Sequence, residues 1–190
     1  MDLWIVRHGE TEWSRDLKHT STTDVPLTEN GEHQAKALAP VLAGHDFRRV
    51  LCSPLQRAVR TAALAGFPDA ERSDLLVEFR YGDYEGLTTP EVREGRPDWD
   101  LWREGAPGGE TPDEVGRRCD DLLGEIDEPD HDVLLFAHNH VLRVLTARYL
   151  DLPASAGGKW TLDTGGFAVL GHERERRVIR RWNLRPGGAS

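Results

Sequence analysis

An arginine and a histidine stand side by side after a short apolar run, Leu3 to Val6, and are followed at once by Gly9, Glu10 and Thr11. The pairing suits a phosphate. A guanidinium offers a planar fork of donors that matches phosphate oxygens, and an imidazole is nucleophilic while neutral near physiological pH. Gly9 lets the backbone bend close to a ligand. Taken alone, Arg7-His8 fits better a histidine that caps a strand and bonds a carboxylate. Two further groups extend it: Arg57, in the first turn of a helix after the run Val50-Leu51-Cys52, and His138, at the end of the run Asp132 to Ala137. If these three runs are parallel strands, all three groups lie along one carboxyl edge, where open α/β sheets bind ligands. His140 completes an H-x-H pattern of a kind that binds metals elsewhere, but Arg7 and Arg57 nearby would repel a cation, so no metal site is expected.

The elements that position these groups are readable from caps and periodicity. Each of the three apolar runs ends in polar residues, the pattern of buried strands opening into loops. After the second, Ser53-Pro54-Leu55-Gln56 has the form of a capping box with Pro at the first helical position, and predicts a helix to about Gly66. After the third, Val141 to Tyr149 has a helical pattern. Thr28 caps a predicted helix through Leu42, with Ala35, Leu38, Ala39 and Leu42 on one face. Thr111-Pro112-Asp113-Glu114 is a capping box that opens a helix to about Ile126. Between Gly82 and Pro112, glycines and prolines break the chain around Trp99 and Trp102, which predicts a partly helical, lid-like excursion over one end of the sheet. Trp99 and Trp102 fit two roles there, stacking on a leaving group or stapling the lid to the domain. Gly166 to Gly171 and Arg177 to Leu184 read as strands, with the arginines from Arg174 to Arg181 solubilising an edge.

Composition bounds the rest. The 190 residues suffice for a single domain spanning 1–190. Acidic residues number 33 against 24 basic ones, for a formal net charge of −9. Such a surface repels polyanions, so neither nucleic acid nor an anionic membrane is an expected partner. No apolar run approaches the length of a membrane span and no leader pattern follows Met1, so a cytoplasmic location is expected. Cys52 and Cys119 are far apart and read as reduced, buried thiols. Whether the chain acts as a monomer or a homodimer is left open.

Five blocks then carry a resemblance. Ile5-Val6-Arg7-His8-Gly9-Glu10-Thr11-Glu12-Trp13, Pro26-Leu27-Thr28, Ser53-Pro54-Leu55-Gln56-Arg57-Ala58 with Thr61, Glu78 to Gly86, and Gly108-Gly109-Glu110-Thr111 with Ala137-His138 resemble the histidine phosphatase superfamily. They occur in the family's order over about three quarters of the chain. The His19-Thr20 loop and Tyr84 to Pro90 look most like small phosphatases of the actinobacterial acid phosphatase and sedoheptulose-bisphosphatase kind. The resemblance implies a phosphoglycerate mutase-like, three-layer α/β/α sandwich with a mainly parallel central sheet. It implies that His8 accepts the phosphoryl group, that Arg7, Arg57 and His138 hold its oxygens, and that Glu78 is the general acid and then the base. Two fixed cations and an imidazolium would stabilise charge spread over three oxygens without a metal or other cofactor. Ser14 stands where the family usually has Asn, and Asn139 where it commonly has Gly; both, with His19 and Thr20, are expected to touch substrate. Asn139 is expected in a loop, crowding the phosphate. The expected activity is hydrolysis of a small phosphorylated metabolite through phosphohistidine. A phosphoglycerate mutase shares the constellation but is typically longer, a phosphohistidine phosphatase acting on proteins usually lacks the Glu-bearing lid, and a silent phospholigand-binding protein would not need both His8 and Glu78.

Overall fold

The computed structural model describes residues 2–126 and 131–187. In chain order its elements are β1 (Leu3–Arg7), α1 (Glu12–Arg15), α2 (Glu29–Leu42), β2 (Phe47–Cys52), α3 (Gln56–Leu64), β3 (Glu71–Arg72), α4 (Thr89–Gly95), α5 (Leu101–Glu104), α6 (Pro112–Glu125), β4 (Asp132–Ala137), α7 (Asn139–Tyr149), β5 (Phe167–Glu173) and β6 (Arg176–Leu184). Three short 3-10 turns, Asp74–Leu76, Gly82–Tyr84 and Ala154–Lys159, complete the set.

The strands form one sheet in the order β3-β2-β4-β1-β5-β6. The pairs β3–β2, β2–β4 and β4–β1 are parallel, whereas β1–β5 and β5–β6 are antiparallel. The expected parallel core is therefore present, extended into a mixed sheet by a C-terminal hairpin. Alternation along the strands sends Leu3, Ile5, Leu51, Leu135 and Leu170 to one face, against α6 and α7. It sends Trp4, Val6, Cys52, Leu134 and Phe136 to the other, against α2 and α3. Each face thus buries a separate apolar layer, which is what makes the sandwich three layers deep.

The caps at Thr28 and Thr111 are those predicted: Thr28 Oγ1 accepts from Gly31 N at 3.0 Å, and Thr111 and Glu114 exchange side-chain and backbone bonds. The expected box at Ser53 does not form. Helix α3 begins later, at Gln56, with Leu55 as a cap that makes no side-chain bond. Ser53 is instead drawn into the sheet-edge site described below. Gly9 also differs from expectation, because a Cβ there would collide with the carbonyl of Gly31, and one on Gly31 would collide with that of Glu10. The glycine pair lets the loop after β1 lie directly on the first turn of α2. Both cysteines are free and buried. Among the described residues no helix is long and apolar enough to cross a membrane.

Candidate active site

The parallel strands β1, β2 and β4 bring their carboxyl ends together, and a cavity of about 570 Å³ opens there. Arg7, His8, Ser14, His19, Thr20, Glu78 and Asn139 all line it. So do Trp99, Leu101 and Trp102 from the excursion, which thus covers that end of the sheet.

Arg7 ends β1 and is anchored by Nη1 donating to Leu162 O at 2.6 Å, while its buried Nε bonds no protein atom. His8 follows, 5 % exposed, with Nδ1 2.7 Å from Gly9 O. A carbonyl can only accept, so Nδ1 carries the proton and Nε2 keeps its lone pair. Burial, then the charges of Arg57 and Arg7, push the His8 pKa well below that of ordinary histidine. The ring is therefore neutral, with a lone pair on Nε2.

Arg57 and His138 lie behind His8 and outside the cavity lining, with the His8 and His138 ring centroids 5.1 Å apart. Arg57 donates from Nη1 to Thr23 O, from Nη2 to Thr20 O and Ser21 O, and from Nε to His138 Nδ1 at 3.2 Å. His138 Nδ1 must then accept, so Nε2 bears the proton and donates to Ser53 Oγ at 2.7 Å. Burial, with Arg57, His8 and Arg7 adding to it, lowers the His138 pKa strongly. The imidazolium expected at 138 is thus a neutral imidazole in the opposite tautomer to His8.

Glu78 is 4 % exposed and receives three backbone bonds, from Phe79 N and Val141 N at 2.8 Å and from His140 N at 3.0 Å. The last two belong to the first turn of α7, whose N-cap, His138, makes no side-chain cap bond. Glu78 therefore caps α7 from a distant segment, where the helix dipole favours its anion. Burial outweighs these bonds and the Arg57 charge, and the carboxyl pKa is raised.

The remaining sequence-predicted residues sort by their partners. Ser14 Oγ accepts from Thr11 N and donates to Thr11 O, closing the capping box of α1 at the cavity wall. Thr20 Oγ1 likewise donates to Lys18 O. His19 stacks on Tyr81 with centroids 4.8 Å apart. Asn139 is the first residue of α7 and not part of a loop, so position 139 needs no left-handed backbone. His140 follows it in the helix, and its Nδ1 pairs with the Tyr81 hydroxyl at 2.6 Å. Among the described residues no cluster of three His, Cys, Asp or Glu side chains is arranged to hold a metal. Trp102 takes the stapling role, packing on Gly157 and Gly158, where a Cβ would crowd its ring, while Trp99 Nε1 donates to Gly105 O within the excursion; both residues also line the cavity.

Three supports were not read from the sequence. Ser53 holds His138; Glu85 accepts from Ser21 N, Ser21 Oγ and Thr23 N, shaping the loop whose carbonyls grip Arg57; and Glu110 pairs with Arg118 at 3.0 Å. Arg118 also donates to the carbonyls of Leu75, Val77 and Glu78, while Glu110 accepts from Arg80 N. Glu110 directly before a capping box, with Arg118 on the helix it opens, was a usable signal for that clamp. Nothing local marks Glu85.

Known proteins are similar to this chain in sequence and in fold. The chain is 41 % identical to an acid phosphatase of Mycobacterium tuberculosis over 93 % of its length and 89 % of the relative's. It is 33 % identical to a sedoheptulose 1,7-bisphosphatase of Saccharomyces cerevisiae over 78 % of this chain and 67 % of the other. The solved structure of an open reading frame product from Mycobacterium tuberculosis superposes with a TM-score of 0.93 at 37 % identity, covering 97 % and 98 % of the two chains. The family model for the histidine phosphatase superfamily (branch 1) matches residues 3–185, which takes in every strand and all the cavity residues named above, so the chain belongs to that superfamily.

Proposed function

We propose that this chain is a phosphoric monoester hydrolase that cleaves small phosphomonoesters through a phosphohistidine on His8. The observation that carries the reading is the pairing of a neutral His8, with its Nε2 lone pair free, and a buried Glu78 of raised pKa on the wall of one cavity. His8 Nε2 attacks phosphorus as the ester P–O bond breaks, and Glu78 gives its proton to the departing oxygen. Water then loses a proton to Glu78 and attacks phosphorus, the P–N bond breaks, and phosphate leaves. Arg7 and Arg57 supply the positive charge for the equatorial oxygens, so no metal is needed. Arg57 and His138 reach those oxygens by exchanging the carbonyls of the Thr20–Thr23 loop and the Ser53 hydroxyl for them. The partner is a small phosphorylated metabolite; the acidic surplus of the chain disfavours nucleic acid and anionic membranes. Two free, buried thiols suit the reducing cytoplasm.

Phosphate release from an aryl phosphate, measured with chelator present, tests this. His8→Ala should lower kcat/KM by about 10³-fold or more in a folded protein, and rapid quench of the native enzyme should reveal a mass increase of one phosphoryl group on His8. Retention of more than a tenth of the rate by His8→Ala, or loss of wild-type activity on chelation, would refute it.

A further inference from the structure

His140 is a cavity residue that the proposed phosphoryl transfer does not use, and it is held from several sides. Its backbone N–H donates to Glu78 Oε2, and its ring Nδ1 lies 3.9 Å from that same oxygen. One edge of the ring bonds the Tyr81 hydroxyl, and one face packs against Trp102 with centroids 5.3 Å apart. Trp102 is in turn fixed by the Arg143 guanidinium, 4.4 Å from the ring centroid, and by Gly157 and Gly158 behind it. Tyr81 is set by His19 and Phe79, which stack on its two sides.

The partner chemistry decides the tautomer. Tyr81 is 2 % exposed, and its hydroxyl has no other acceptor among the described residues, so its proton goes to His140 Nδ1. Burial raises the Tyr81 pKa far above its usual value and lowers that of His140, which keeps the phenol protonated and the imidazole neutral. Nε2 must then carry the ring proton. That nitrogen bonds no protein atom among the described residues, and the residue lines the cavity.

From this geometry we infer that His140 is a specificity-determining residue, whose Nε2–H donates to an oxygen on the carbon next to the ester carbon of the leaving group. The inference rests on the phosphatase reading above, in which Glu78 protonates the ester oxygen; the group beside Glu78 then faces the neighbouring substituent. The enzyme should prefer phosphate esters of polyols or hydroxy acids to plain alkyl esters.

The test compares kcat/KM for glycerol 1-phosphate and n-propyl phosphate, which differ in hydroxyls on the carbons beyond the ester. The wild-type enzyme should favour the glycerol ester about fivefold to tenfold, the worth of one neutral hydrogen bond. In His140→Ala that ratio should collapse toward one. His140→Gln, which returns an N–H donor near the same place, should recover most of it, and Tyr81→Phe, which frees the tautomer, should fall between. A wild-type ratio near one, or equal losses on both esters in His140→Ala, would overturn the assignment while leaving the phosphatase reading intact. Hydrolysis of neither ester, nor of an aryl phosphate, would overturn both.

Discussion

Two buried imidazoles 5.1 Å apart carry their protons on opposite nitrogens, and this difference separates their roles. A carbonyl fixes the proton of His8 on Nδ1, whereas a guanidinium N–H fixes that of His138 on Nε2. Only His8 is left with a lone pair that no protein donor engages. Glu78 complements it, as a carboxyl whose pKa burial raises although three N–H groups and a nearby arginine favour the anion. Glu78→Gln keeps the shape but exchanges no proton. With an alkyl phosphate the first step should slow by about 10²-fold or more, while an aryl phosphate, whose leaving group needs little protonation, should still phosphorylate His8. Water attack then lacks its base, so the phosphoryl adduct accumulates and is seen by mass spectrometry after quenching. Equal slowing on both esters without an adduct would remove the acid role from Glu78.

Helices and loops hold these side chains by bonds that differ in how openly the sequence advertises them. Thr28 and Thr111 are local caps, each closed within one turn, so residue type and spacing suffice to find them. Ser53 has the same local signature, but its hydroxyl meets His138 just past the end of β4, and the tertiary bond displaces the cap. Glu78 is the converse, a cap for α7 delivered from a distant segment, which no local pattern can announce. The three parallel strands and the residues at their ends were legible because each run is short, apolar and abruptly ended. The Glu85 loop support was not, since it acts mainly on backbone amides of a distant loop, whereas the Arg118 clamp left a sign only in the spacing of Glu110 and Arg118 about a capping box. Arg118→Ala would remove the bonds to Leu75, Val77 and Glu78 and leave the mostly buried Glu110 carboxylate without its partner. Stability in urea should fall by about 3 kcal/mol. kcat should fall more than KM changes, because the segment carrying Glu78 loosens while the phosphate end remains. Unaltered kcat in the folded variant would confine the clamp to stability.

At the scale of the whole molecule, an acidic surface encloses a site built from arginines and uncharged imidazoles, and the fold must keep His8, His138 and His140 deprotonated inside. All three pKa values lie well below that of a free histidine, chiefly through burial. Below pH ~6.5 the unfolded chain therefore takes up protons that the native protein refuses, and stability is lost as the pH falls from that point toward the native values. Glu78 acts with the opposite sign. Its raised pKa means that the native carboxyl keeps a proton the unfolded chain has released, so its contribution is complete below pH ~4.3 and fades as the pH rises through the native value. His19 is shifted downward as well, so four imidazoles against one carboxyl leave the histidines in control between neutrality and mild acid. The midpoint of urea unfolding should accordingly drop from pH 7.5 to 6.5 and drop more steeply from 6.5 to 5.5. His140→Gln removes one of these histidine titrations, so the slope of unfolding free energy against pH over the lower interval should become shallower by about 1.4 kcal/mol per pH unit at most. A slope equal to that of the native chain would mean that the His140 ring already takes up its proton in the folded protein, and the tautomer fixed by Tyr81 would fail with it.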